Sequence, residues 1–123
     1  MKRQIRIKAG SVTVLAELFN TKNAETIWQA LPFKNRVNTW GDEIYFSIPL
    51  KMDLEAGQEI VDSGDLGYWP LGSAFSIFFG PTPMSSEDEI RAASAVDIVG
   101  RLEDDPKLFK KVADGEEIVV ERA

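Results

Sequence analysis

The sequence predicts a mainly β, antiparallel fold in a single domain spanning residues 1–123, built as a barrel or a sandwich. Three observations carry this. Short apolar runs alternate with period two along most of the chain, turn residues stand near each junction, and only two stretches show helical spacing. Two helices are too few and too badly spaced for parallel βαβ winding. A chain of 123 residues is the size of one ordinary domain, with a core that buries roughly two thirds of the unfolded surface.

The elements follow in order. Ile5 and Ile7 alternate with Arg6 and Lys8, and after Gly10-Ser11 the residues Val12, Val14, Ala16 and Leu18 alternate with polar or outward positions. A two-residue Gly-X link between such runs signals a hairpin. Ala24, Ile27, Trp28 and Leu31 then share one helical face, with Asn20 or Thr21 as cap and Pro32 as stop, so a helix is expected over 22–31. In KNRVNTWGDEIYFSIPL, Gly41-Asp42 fits a tight turn. That turn sets Trp40 opposite Glu43, Asn38 opposite Tyr45 and Arg36 opposite Ser47, all on one face, with Val37, Thr39, Ile44, Phe46 and Ile48 on the core face.

Ile60-Val61 reads as a short strand. Leu66 to Trp69 reads as a strand, Pro70 to Ser73 as a turn and Ala74 to Phe79 as the next strand, with Phe75, Ile77 and Phe79 sharing a face. Gly80 to Pro83 ends it, since proline cannot donate to a ladder. Ser86 to Glu89 has capping-box spacing for a short helical turn. Val96, Ile98, Gly100 and Leu102 alternate as a strand. Asp105 and Pro106 suit the first positions of a helix over 105–114, with Lys110 and Lys111 in its last turn and Gly115 as its end. Ile118 to Glu121 is the final strand.

Composition excludes several kinds of chemistry. The net charge is −6, and the scattered basic residues form no stripe for phosphates, so neither nucleic acid nor an anionic membrane is expected as a partner. No apolar run approaches the ~20 residues of a membrane span. MKRQIRIKAG has no apolar segment after its basic residues and does not read as a signal peptide, so a cytoplasmic location is expected. The chain has no Cys and no His. Thiolate nucleophiles, thiolate zinc sites, imidazole bases and the commonest metal ligand are therefore missing. No metal or other cofactor is expected. Asp62, Asp65, Glu87, Asp88 and Glu89 lack the spacing of a calcium loop and read as solvated loop charge.

Three strings, VNTWGDEIYFSIP, GDLGYWPLGSAFSIFFGPTPMS and ASAVDIVGRL, together resemble a family of small prokaryotic proteins with a cyclophilin-like fold and no settled function. The resemblance implies a closed antiparallel eight-stranded barrel with two capping helices. It also implies a site on the outer barrel surface, where true cyclophilins bind proline peptides through an arginine, aromatic and apolar residues, a glutamine and a histidine. This chain has no histidine and lacks the Phe-His-Arg string of those enzymes. Arg36 is the nearest candidate for the arginine.

The face holding Arg36, Asn38, Trp40, Glu43, Tyr45 and Ser47 is either a ligand groove or an outer sheet face covered by a loop. Rings would supply apolar contact there, and polar groups orientation. Phe78 and one of Tyr68 or Trp69 could form its far wall. The candidate groove is thus Arg36, Asn38, Trp40, Glu43, Tyr45, Tyr68, Trp69 and Phe78. The leading expectation is a module that binds a small molecule or a proline-containing peptide without efficient catalysis, and no residue is assigned a catalytic role. A peptidyl-prolyl isomerase is the alternative. An accessory subunit of an amide-metabolising enzyme is a third possibility, by fold analogy with domains of urea amidolyases.

Overall fold

The computed structural model describes residues 3–123. Strands β1 (Arg3–Ala9) and β2 (Val12–Leu18) form the first hairpin, with Ala9 opposite Val12 across Gly10-Ser11. Period two sends Ile5, Ile7, Val12, Val14, Ala16 and Leu18 into the core. Helix α1 (Lys22–Ala30) begins at Thr21, whose hydroxyl accepts a hydrogen bond from the Ala24 N–H at 3.2 Å. It buries Ala24 and Ile27, and Trp28 and Leu31 pack against the core from its rim.

The next stretch departs from the expected hairpin at one residue. β3 (Phe33–Arg36) pairs with β10 (Glu117–Arg122), which sets Arg36 opposite Glu117 and not opposite Ser47. Val37 makes the switch: its N–H donates to the Glu116 carbonyl and its carbonyl accepts from the Gly115 N–H, both at 2.9 Å. The inner part of the hairpin is as expected. β4 (Asn38–Thr39) pairs with β5 (Glu43–Ser47), Asn38 opposite Tyr45, and Trp40 and Glu43 exchange N–H···O bonds of 2.9 and 3.2 Å. Gly41 has φ +59°, the left-handed conformation this turn requires.

The remaining strands are β6 (Gln58–Val61), β7 (Asp65–Trp69), β8 (Ala74–Phe78) and the long β9 (Ile90–Leu102). A 3-10 turn over Pro70–Gly72 joins β7 to β8. Two local expectations change. Ser86 to Glu89 makes a turn and no helix: the Ser86 hydroxyl donates to the Glu89 carboxylate, while the Ser85 hydroxyl accepts from the N–H groups of Thr82 and Arg91 and holds the loop bent. The second helix is a 3-10 helix over Pro106–Lys111, capped by the Asp105 carboxylate, which accepts from the Lys107 N–H at 3.0 Å. It stops before the expected end because Val112 is extended and buries its side chain in the core. Gly115 lies beyond it, in the turn before β10.

The main sheet runs β3-β10-β1-β2-β9-β7-β8-β5-β4, with β6 paired to β9 off this path. The expected closed eight-stranded barrel gives way to an open antiparallel sheet of ten strands among the described residues. Its end strands are consecutive in the chain but do not pair, because Val37 spends both its backbone groups on the 115–116 turn. A side-chain bond from Asn35 Nδ2 to the Ser47 carbonyl of β5, at 2.9 Å, bridges the gap.

One face of the sheet carries the main core, including Phe46, Tyr68, Phe75, Ile77 and Val99. A smaller cluster of Val61, Phe78, Ala92 and Val96 lies on the other face. β9 serves both. Its register against β7 slips between Leu66 and Gly67, so that Gly100 and Ile98 face successive residues of β7. This bulge ends the simple alternation expected from Val96 to Leu102: Val96 and Ile98 join the outer cluster, whereas Val99 and Leu102 join the core.

Candidate functional site

Side chains of β5, β7 and β8 that point away from the main core form a floor. Cross-strand pairing sets Glu43 beside Phe78, Tyr45 beside Ser76, and Gly67 beside Ser76. The first half of β9 and β6 pair as a two-stranded ribbon, with Gln58 opposite Val96 and Val61 opposite Ile90. Packing of Ala92 and Val96 against Phe78 lays this ribbon over the floor. Between floor and ribbon is a cavity of about 190 Å³, walled by Trp40, Tyr45 and Trp69, with Glu43 below and Ala92, Ala93 and Val96 on the ribbon side.

Each wall has a local cause. Trp40 is held by the Gly41-Asp42 turn, which is pinned by the Asp42 N–H donating to the Pro81 carbonyl at 2.9 Å. Trp69 stands with its ring plane 80° from that of Tyr45, centroids 5.9 Å apart, and its indole N–H donates to the Ser94 hydroxyl at 2.6 Å. Gly72 permits this pose, since a Cβ there would lie 2.8 Å from the indole ring. The chain leading into the ribbon is anchored by buried Asp97, whose carboxylate accepts from Asn23 Nδ2 at 2.6 Å and from the N–H groups of Glu55 and Ala56 at 2.8 and 3.0 Å.

Glu43 is the unusual group. It is 6% exposed, and no cation among the described residues pairs with it. Burial pushes its carboxyl up to about 7, moderated by the neighbouring Ser76 hydroxyl. Ser76 Oγ, itself fully buried, lies near that carboxyl but has no hydrogen bond of normal geometry. Asp65 is also buried and not the solvated loop charge expected. Burial raises its pKa, but the Arg101 guanidinium, at 2.9 Å, and the Asp62 N–H satisfy it.

The eight candidate groove residues separate clearly. Trp40, Glu43, Tyr45 and Trp69 meet at the cavity, whereas Phe78 does not line it but is fully buried beside Glu43, packed with Ala92 and Val96. Tyr68 faces the opposite way, into the main core, where its hydroxyl donates to the Leu50 carbonyl at 2.8 Å and accepts from the Met52 N–H at 3.1 Å. Asn38 is exposed outside the cavity, with its amide 3.4 Å from the Tyr45 carbonyl. Arg36 has left the face altogether, and its guanidinium donates to the Gly115 carbonyl at 2.9 Å. Sequence reasoning missed Ser76, Ala92, Ala93 and Ser94. The small-residue run Ala92-Ala93-Ser94-Ala95 was the available signal, since small side chains suit a strand that lies close over another layer. Among the described residues, no group of three or more acidic side chains is gathered to hold a metal ion.

An antiparallel sheet protein with a ring-lined pocket over its outer face is the class these features define. The chain belongs to the cyclophilin-like family, whose model matches residues 3–121. It is similar to the hypothetical protein AF2241 from Archaeoglobus fulgidus, known from a solution structure: 41% of residues are identical, the match covers 99% of this chain and 95% of that one, and the TM-score is 0.82. No curated protein matches the chain. Among the described residues, no helix is long and apolar enough to cross a membrane.

Proposed function

We propose that this protein is a binding module that holds a small molecule, or one side chain of a peptide, in the pocket of Trp40, Glu43, Tyr45 and Trp69, without efficient chemistry. The observation that carries the reading is the pocket itself: three rings line it together with a buried carboxyl that has no ion-pair partner among the described residues. Apolar walls with one well-placed polar group are the usual make-up of a ligand site. A cavity of about 190 Å³ is below the usual range for drug-sized ligands, which favours a headgroup or a single side chain over an extended peptide. Prolyl isomerisation has less support, because Arg36, the one candidate for the electrophilic donor, bonds to Gly115 away from the pocket.

The test is a fragment screen read by ¹⁵N NMR. The protein has three tryptophans, and Trp28 lies elsewhere, under the Arg122 guanidinium at 4.3 Å, so its indole signal is an internal reference. Hits should move the Trp40 and Trp69 indole signals, leave Trp28 still and lose affinity in Trp69→Ala. A screen without a hit at Trp40 and Trp69 would remove the reading.

A further inference from the structure

We infer that the group this pocket takes is a tertiary or quaternary alkylammonium, held between the faces of Trp40, Tyr45 and Trp69 with its charge against the Glu43 carboxylate. The inference rests on the binding reading above and names its ligand class. Ring faces are electron-rich and attract a cation within about 6 Å, most strongly for Trp and when water is excluded. Two of the three walls are tryptophans, and Tyr45 and Trp69 meet edge to face, their planes 80° apart and centroids 5.9 Å from each other.

Other ligand classes fit the same walls less well. An anion would meet a buried carboxylate in a chain of net charge −6. A neutral apolar group gains nothing from Glu43, and at a pH where that carboxyl is ionised it would leave the charge buried and unpaired. A bare metal ion would find one carboxylate where several oxygen ligands are needed. A primary ammonium brings three N–H donors, and a pocket offering one carboxylate among rings and alanines cannot satisfy them all. A tertiary ammonium has one donor and a quaternary ammonium none, so methyl groups meet the rings and the charge meets Glu43. The volume of about 190 Å³ is below that of pockets for drug-sized ligands, which suits such a headgroup.

The same chemistry occurs in free choline-like molecules and in methylated lysine side chains. The experiment therefore titrates labelled protein at pH 8 with choline, with a trimethyllysine peptide, and with 3,3-dimethylbutanol, the uncharged isostere of choline. The Trp40 and Trp69 indole signals are the readout and Trp28 is the reference. At least one cation should bind roughly tenfold or more tighter than the isostere, and Glu43→Gln should lower that ratio several-fold while the rings keep it above one. Choline ahead of the peptide supports the inference and assigns a free headgroup; the peptide ahead of choline supports it and assigns a methylated lysine. An isostere that binds as tightly as both cations overturns the inference and leaves the binding module standing. Silence of all three compounds at Trp40 and Trp69 also overturns it, and the binding module falls with it only if the fragment screen is silent too. Glu43→Gln removes a buried charge and should fold, so loss of structure cannot mimic the expected result.

Discussion

Replacing Glu43 by glutamine should stabilise the protein in alkali and leave it nearly unchanged in acid. The folded carboxyl titrates at about 7 because it is buried, against 4.5 for the free group. The folded state therefore holds the proton more tightly than the unfolded chain. Below pH 4.5 the group is protonated in both states and burial costs no charge. Stability falls as pH rises between 4.5 and about 7, since folding must then retain a proton that the unfolded chain gives up. Above that window the penalty is complete. The gap from 4.5 to about 7, at about 1.4 kcal/mol per pH unit, comes to about 3 kcal/mol. Glutamine has a similar shape and no charge, so it avoids this cost. Urea unfolding of both proteins at pH 4 and pH 8 isolates the effect, because the other titrating groups cancel in the comparison. Glu43→Gln should raise the unfolding midpoint at pH 8 by roughly 1–3 M urea, given a slope of about 1–3 kcal/mol per M. The midpoints should nearly coincide at pH 4. An equal difference at both pH values would refute the reasoning, since Glu43 would then ionise in the folded state as readily as in water.

Three further substitutions probe the fold and the ranking of functions. Gly100→Ala would bring a Cβ to 2.4 Å from the Glu17 carbonyl oxygen, part of the backbone of β2, and should cost about 1–3 kcal/mol in urea unfolding as β9 and β2 are pushed apart. Tyr68→Phe loses both hydrogen bonds of the hydroxyl to the 50–52 segment, which should cost about 1–2 kcal/mol and speed amide exchange at Met52 without altering the pocket. Arg36→Ala should leave ligand titrations of the pocket unchanged, and a coupled cis–trans assay on several X-Pro peptides should find no robust turnover in either protein. Turnover abolished by that substitution would favour the isomerase over the binding module.

What the sequence determined by itself was local. The β1–β2 hairpin, the Thr21 cap of α1 and the pairing of Trp40 with Glu43 and Asn38 with Tyr45 all follow from turn residues and side-chain period. These signals act over a few residues, where backbone sterics and the nearest hydrogen bonds decide the outcome. The same logic put three pocket residues, Trp40, Glu43 and Tyr45, on the outer face of one hairpin. It failed where distant segments compete for the same backbone groups. Arg36 left the face because Val37 bonds to residues 115 and 116, nearly eighty positions away. The choice between Tyr68 and Trp69 was made by the Leu50–Met52 segment, which receives the Tyr68 hydroxyl, and by Ser94, which receives the Trp69 indole. The register slip in β9 turned Val96 outward, and the ribbon it forms with β6 roofs the pocket. That roof and the rings beside it bury Glu43. A hairpin carboxylate that the sequence presents as one polar residue among others becomes, through contacts made far along the chain, a buried group titrating near neutrality.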